Sequence, residues 1–356
     1  MEKKQYLWDL YTAKEEYNST LVDNFNRNPF WASKNRDIFS PKISEFLLKE
    51  GLKPSYPENK KFAICLTHDV DILFNDTTRK QYLKKGVKDL IKLDLSGFVK
   101  TLSDSTKRKI IPNFHISETL KHERKYNAKS SFYFLSLSKG EQDYNYDLAE
   151  ISDVFDQIRE NNGEIGLHGG HEAYDNISKM KQEKEKLESI IGEKVHGYRN
   201  HYLRFQTPST WQHLDKLNFI YDTTYGYADC VGFRNGMCHP FQPFDLNENK
   251  FLDIIELPLI IMEFSLEQRY MRISESKQFE FCKQMIDTVA KNNGVLTLLW
   301  HNTQMQGQQG QLYNAILKYA YEQNAWLTTG NEIVDFWKGN NFHKKTNEIL
   351  NKLREF

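Results

Sequence analysis

The stretch Ala63-Ile64-Cys65-Leu66-Thr67-His68-Asp69-Val70-Asp71 decides how the rest of the chain is read. An apolar run with the pattern of a buried strand stops abruptly at two carboxylates two residues apart. In a strand, residues i and i+2 point the same way, so Asp69 and Asp71 can share one pocket if the chain stays extended. Two close carboxylates repel unless a cation or an arginine stands between them. Taken alone, the pair also reads as two solvated turn aspartates. The other strand ends of the chain decide between these readings.

Working outward, apolar runs alternate with helical spacing. Strands are expected at Ser131–Leu135, Glu164–Leu167, Val195–Tyr198, Phe219–Tyr221, Ile254–Leu259, Val295–Trp300 and Ala325–Thr328. Helices are expected at Leu148–Glu160, Lys181–Ile191, Phe279–Asn292 and Gln311–Gln323, and Gly163 and Gly294 read as helix stops just before strands. With the first strand the count is about eight, alternating with helices as in a parallel α/β sheet or barrel. Residues 1–60 read as a polar helical extension anchored by Trp8, Leu10, Phe25 and Phe30. Residues 75–128 read as a lysine-rich helical insertion after the first strand, with Val87, Leu90, Ile91 and Leu93 at helical spacing. Its Lys84, Lys85, Lys88 and Lys92 read as a solvated face or a hold on an anionic substrate, and 341–356 as a polar tail.

Four strands finish on reactive side chains. The first ends at Asp69 and Asp71. The Glu164 strand ends at His168-Gly169-Gly170-His171-Glu172, the Val195 strand at Arg199-Asn200-His201-Tyr202, and the Val295 strand at His301-Asn302. In a parallel barrel all such ends meet on one face. A carboxylate with two imidazoles is a common divalent-metal set that leaves room for water and substrate. The remaining carboxylate, arginine and histidine then supply base, orienting group and acid. Each residue has a plain alternative as a satisfied strand-end group; their joint occurrence in this order carries the argument. His115, His122, His196, His213, His239 and His343 lack such placement and read as structural or surface residues.

Composition narrows the class. The 356 residues are 39% apolar and 27% charged with a formal net charge of zero, which argues against a general nucleic-acid or membrane binder. No apolar run approaches the length of a membrane span, and the Met1-Glu2-Lys3-Lys4 start lacks the apolar core of a secretion signal. Cys65, Cys230, Cys238 and Cys282 show no metal or redox spacing, so a reduced, cytoplasmic setting is expected.

Over residues 60 to 335 the chain resembles the NodB-type polysaccharide deacetylase superfamily, metal-dependent carbohydrate esterases on a distorted (β/α)7 barrel. The resemblance rests on Thr67, Asp69 and Asp71; on Gly163 through His168; on Arg199 and Tyr202; and on Leu298-Leu299-Trp300-His301. The stretch Asn218-Phe219-Ile220-Tyr221-Asp222-Thr223-Thr224 and the Glu256-Leu257-Pro258 run are similar to further stretches of longer members. Three departures stand out. The second histidine of the second motif is His171, three residues after His168 rather than four, where Glu172 stands. His201 replaces the usual proline of the third motif and offers itself as a substitute ligand. Asp71 replaces an adjacent second aspartate.

The resemblance implies a hydrolase that removes an acetyl group from an N-acetylated, or O-acetylated, sugar. Asp71 and His168, with His171, Glu172 or His201 completing the shell, are the implied ligands of a zinc ion, or of cobalt, nickel or manganese. Asp69 is the implied base, Arg199 its orienting partner, the Tyr202 backbone N–H an oxyanion donor and His301 the acid. Asp222 is a candidate to orient His301 or substrate, and Tyr202, Tyr225, Tyr227 and Trp300 to wall the cleft. A cytoplasmic member is expected to act on an oligosaccharide or a nucleotide- or lipid-linked precursor of a surface polysaccharide. A degraded glycan- or partner-binding member and an allantoinase-like cyclic-amide hydrolase are the alternatives.

Overall fold

The structure, a computed structural model, describes residues 2–73, 87–91, 94–106, 116–138, 140–142, 144, 146–267 and 269–354. The strands are β1 (Phe62–Val70), β2 (Ser131–Leu135), β3 (Glu164–Gly169), β4 (Gly197–Asn200), β5 (Tyr221–Asp222), β6 (Phe244–Asp245), β7 (Lys250–Phe251), β8 (Ile255–Glu256), β9 (Leu259–Met262), β10 (Val295–Leu299) and β11 (Ala325–Thr328). β6 and β7 form a separate antiparallel hairpin. The other nine make one parallel sheet in the order β8-β5-β4-β3-β2-β1-β10-β9, with β11 also paired to β1.

Pro258 explains how this sheet curls. The expected single strand Ile254–Leu259 is two, β8 and β9, on either side of Leu257-Pro258. β8 pairs with β5 at one edge and β9 with β10 at the other. Proline has no N–H to donate, so the run breaks there and joins the two edges covalently. Seven runs thus encircle an axis: β1 to β5, the β8/β9 run and β10. β11 lies beside the start of β1, whose far end turns to β2.

The period of two sorts β1 into two faces. Phe62, Ile64 and Leu66 pack outward against helices Glu275–Lys291 and Gly307–Glu322, through Met285, Ile286, Val289, Ile316 and Leu317. Ala63 and Cys65 face inward with Tyr133, Tyr221, Ile255 and Val295. The axis is filled by two tyrosines whose hydroxyls lie 3.2 Å apart. Glycines make their room: a Cβ at Gly166 would sit 2.5 Å from the Tyr133 ring, and one at Gly197 2.3 Å from that of Tyr221. Further along the same inward rows stand Asp69, level with Tyr133, and His168 and Arg199, one step beyond Gly166 and Gly197.

Strands expected at Val195–Tyr198 and Phe219–Tyr221 lie slightly later, at β4 and β5. The expected helices are present, extended at their starts to Ile177, Glu275 and Gly307, while Leu148–Ile151 is a 3-10 turn ahead of Ser152–Glu160. The ends of the chain are less separate than their polarity suggests. Leu7, Trp8 and Tyr11 share a core with Phe241, Phe244 and Leu353. Glu16 and Arg234 form a buried ion pair at 2.8 Å. The expected polar tail is a helix, Phe342–Asn351, with Ile349 and Leu350 fully buried, because its apolar residues recur at helical spacing. Of the insertion, Leu95–Thr106 and Ile116–Arg124 are helical and Lys88 is exposed; Lys84, Lys85 and Lys92 lie outside the described residues. Among the described residues no helix is long and apolar enough to cross a membrane.

Candidate active site

Asp71, His168 and His201 each offer one donor atom, and these atoms lie within 4.8 Å of one another. The His168 Nε2 is 3.2 Å, and the His201 Nε2 3.7 Å, from Asp71 Oδ1. The orientation of His168 is fixed from behind. Its Nδ1 is 3.0 Å from the Arg199 carbonyl, which can only accept, so Nδ1 carries a proton and, in the neutral ring, Nε2 carries the lone pair. Asp71 Oδ1 and His168 Nε2 are buried and have no hydrogen-bond partner. Two such lone-pair donors facing each other in a dry site fit a divalent cation, and one carboxylate with two imidazoles suits zinc or a similar borderline ion. Without a cation, burial disfavours the Asp71 carboxylate, but His201, His168 and His301 outweigh this and hold it well below the usual carboxylate range.

His171 lies outside this trio. Its ring stacks on that of His201, with centroids 4.9 Å apart, and its N–H donates to Gln142 Oε1. Glu172 is exposed and ion-paired with Lys179, away from the cluster. The Gly169-Gly170 step after His168 is held back instead: Gly170 N–H donates to the buried Glu183 at 2.8 Å. The second imidazole comes from the next strand.

His201 reaches the cluster through a tight turn, His201–Leu203. Tyr202 (φ 59°) and Leu203 (φ 53°) are both left-handed without being glycine. Each costs on the order of 1–3 kcal/mol and persists only where its surroundings insist on it. Asn200 supplies part of that: its Nδ2 donates to the His201 carbonyl, its Oδ1 accepts from Tyr198, and its N–H donates to Thr224.

Asp69 is 2% exposed and sits beside the trio, 3.7 Å from His168 Nε2. The Arg199 Nε is 3.7 Å from its other oxygen. That guanidinium, fully buried over the Tyr133 ring, is aimed by Thr67 (2.8 Å) and Thr223 (3.1 Å). His301 closes the opposite side, its Nε2 3.6 Å from Asp71 and 4.0 Å from Asp69. Its Nδ1 lies 2.6 Å from Glu263 Oε1, and its backbone N–H donates to the same oxygen. Burial alone would lower the His301 pKa, but Glu263, Asp71 and Asp69 raise it to about 10.

Glu263 is absent from the residues the sequence singles out. Its signal is of the same kind as that of Asp69: the apolar β9 run ends on it. Asp222, a candidate to orient His301, is elsewhere: it accepts from Thr224 and lies in register with Glu256. Burial raises both of these carboxyls, Asp222 to about 6. Trp300 is core, packed on Tyr313. Tyr225 bonds to Glu16, and Tyr227 packs on Phe30. Only Tyr202 of the four aromatic candidates lines the site cavity. That cavity is about 340 Å³ and is also lined by Asp69, Asp71, His201, His301, Leu203, Met262, Phe264, Tyr270 and two arginines, Arg27 and Arg269.

No protein-family model and no curated protein sequence matches the chain. Solved structures do. A Mycobacterium smegmatis protein assigned as a polysaccharide deacetylase superposes with a TM-score of 0.53 at 14% identity, over 81% of this chain and 94% of that one. The fold is that of the NodB-type polysaccharide deacetylases. A Bacillus cereus polysaccharide deacetylase matches at 15% identity over 75% of this chain and 91% of its own, with a TM-score of 0.38. A Bacillus anthracis CE4 family pseudoenzyme matches at 12% over 81% and 71%, with a TM-score of 0.39. At these identities the likeness to the deacetylases is one of fold, and what this chain does rests on its own side chains.

Proposed function

We propose that the chain is a divalent-metal-dependent hydrolase that removes an acetyl group from an N- or O-acetylated sugar. One observation carries this: Asp71, His168 and His201 converge on one point, with Asp69 on one side of it and His301 on the other. Asp71, His168 and His201 are the residues that would hold the cation. When bound, it supplies Lewis acidity, lowering the pKa of a water and polarising the acetyl carbonyl.

The protein's own groups carry the rest. Asp69 accepts the proton of the attacking water, and Arg199 fixes its direction. The Tyr202 N–H is the donor assigned to the developing oxyanion. His301 returns a proton to the leaving amine or alcohol; its carboxylate neighbours keep the ring charged, so the acid is loaded before substrate arrives. The apolar wall of Leu203, Met262 and Leu299 offers room for the acetyl methyl. The irregular second motif was the reason to consider a degraded binder. That motive weakens where His201 stands in for the expected histidine.

The test uses zinc-loaded protein with chitin oligomers, acetylated xylan and allantoin, scoring acetate release against ring opening. Acetate release is expected, and Asp69→Asn is expected to lower its kcat by about 10²–10⁴-fold while the protein still binds one zinc. Full activity in Asp69→Asn removes Asp69 as the base. Ring opening without acetate release replaces the substrate class.

A further inference from the structure

The barrel does not complete this site by itself. A loop near the N-terminus, more than 30 residues before β1, holds the turn that carries His201. Asp23 and Arg27 close that loop: Arg27 N–H and Phe25 N–H donate to Asp23 Oδ1, and Asp23 N–H donates to the Arg27 carbonyl. The Arg27 side chain folds back on Asp23, with Nε 2.8 Å and Nη2 2.6 Å from Oδ2. Arg27 is only 7% exposed, and its guanidinium is thereby fixed in direction. Its remaining Nη1 donates to the Tyr202 carbonyl at 2.7 Å, and Nη2 reaches the Tyr270 hydroxyl at 3.5 Å. From the same loop the Phe25 ring lies flat on the Tyr202 ring, centroids 4.7 Å apart at 12°.

Asn200 grips the His201–Leu203 turn from the barrel side, and this loop grips it from the outside. The residue gripped, Tyr202, is left-handed, and it links the His201 imidazole to Leu203, left-handed as well. A strained turn held on both faces relaxes when one hold is removed, and the groups it carries move with it. We infer that Arg27, aimed by Asp23, is a positioning residue of the candidate active site, which locks the left-handed Tyr202 turn and so places His201 for the cation. The inference rests on the reading of Asp71, His168 and His201 as a cation site. It adds that residues far outside the barrel are part of what makes that site bind.

The experiment compares wild type, Arg27→Ala, Arg27→Lys and Asp23→Asn as full-length proteins, with thermal melts to confirm folding. Zinc affinity is read by competition with a chromophoric chelator. The ring resonances of His201, assigned by their loss in His201→Gln, are read in metal-free protein, with those of His239 as reference. Arg27→Ala is expected to bind zinc about 10–100-fold more weakly and to shift the His201 signals while leaving those of His239 in place. Arg27→Lys and Asp23→Asn are expected to be intermediate, and added guanidinium ion is expected to restore part of the affinity of Arg27→Ala. Unchanged His201 signals together with unchanged zinc affinity in folded Arg27→Ala overturn the inference. If wild type takes up no zinc, the reading of the site fails, and the His201 signals alone decide the clamp: a shift sustains it and no shift ends it.

Discussion

His168 and His301 both follow inward rows of parallel strands and both face Asp69 and Asp71, yet they are prepared for different work. Burial pulls both pKa values down, and the aspartates push both up. The difference lies behind the rings. His168 backs onto a peptide carbonyl, a neutral acceptor that fixes the tautomer and leaves a lone pair aimed at Asp71. His301 backs onto a buried carboxylate, Glu263, which favours the doubly protonated ring. His239 is the third case. It is fully buried against Trp337, with no such carboxylate among the described residues, and burial, offset only in part by the backbone of Asn292 and Asn293, pushes its pKa down to about 4. The group behind the imidazole therefore sets which protonation state the ring favours and, on the proposed reading, its role: donor of a lone pair, donor of a proton, or neutral core residue.

The largest expected effect separates the first two. On the proposed reading His168→Gln removes a cation ligand, so bound zinc measured by plasma emission is expected to fall from about one per chain toward none, and acetate release to background. His301→Gln keeps the trio intact. It is expected to retain zinc while kcat drops by about 10²–10⁴-fold. If both variants lose zinc equally, His301 is a ligand and the contrast between the two histidines disappears.

Much of this site is legible before folding, because strand-end chemistry leaves a mark: an apolar run that stops on a polar residue. Asp69, His168, Arg199 and His301 carry that mark. Glu263 carries it too, but only if the run is cut at Pro258. Read as one strand from Ile254 to Leu259, the segment hides the residue that finishes β9. His171 drew attention through local spacing, whereas His201 enters the cluster through two left-handed residues, and neither Tyr202 nor Leu203 announces such a conformation. Arg27 is not legible at all. Its contact with Tyr202 spans 175 residues, and only the assembled barrel brings the two together. The helix at the C-terminal end is hidden for a simpler reason: seven of its ten residues are polar, and only Phe342, Ile349 and Leu350 anchor it.

His239 supplies an effect on stability rather than rate. Its pKa is depressed in the folded state, from an ordinary 6.5 to about 4. The unfolded chain therefore binds the proton first as pH falls, and the stabilisation present above pH 6.5 is lost progressively as pH falls through about 4. A shift of this size corresponds to about 3 kcal/mol at most. His239→Gln is expected to melt at a lower temperature at pH 7, because stacking on Trp337 is lost, but to lose less stability than wild type between pH 6.5 and 4. Parallel pH profiles for the two proteins would mean that the acid sensitivity comes from other groups.

The smallest and sharpest test converts one histidine toward the other. Glu263→Gln keeps the shape behind His301 and removes the charge. In metal-free wild type the His301 pKa is raised from 6.5 to about 10, so its contribution to stability is present in full below pH 6.5 and disappears as pH rises through about 10. The substitution takes away the first-ranked of the carboxylates that raise it, leaving Asp71 and Asp69 to oppose the burial that lowers it. The titration of the His301 ring, followed by NMR in metal-free protein, is expected to move down toward that of His168. The upper edge of the stability window should move down with it. If the zinc-loaded protein is the proposed hydrolase, the alkaline limb of its kcat profile is expected to shift the same way, with about a tenfold loss of rate near pH 8 and little change below pH 6, where the ring stays protonated. A ring that still titrates near 10 in Glu263→Gln would show that the two aspartates hold the charge without help. The distinction between the two strand-end histidines would then have to come from the cation and not from the carboxylate behind His301.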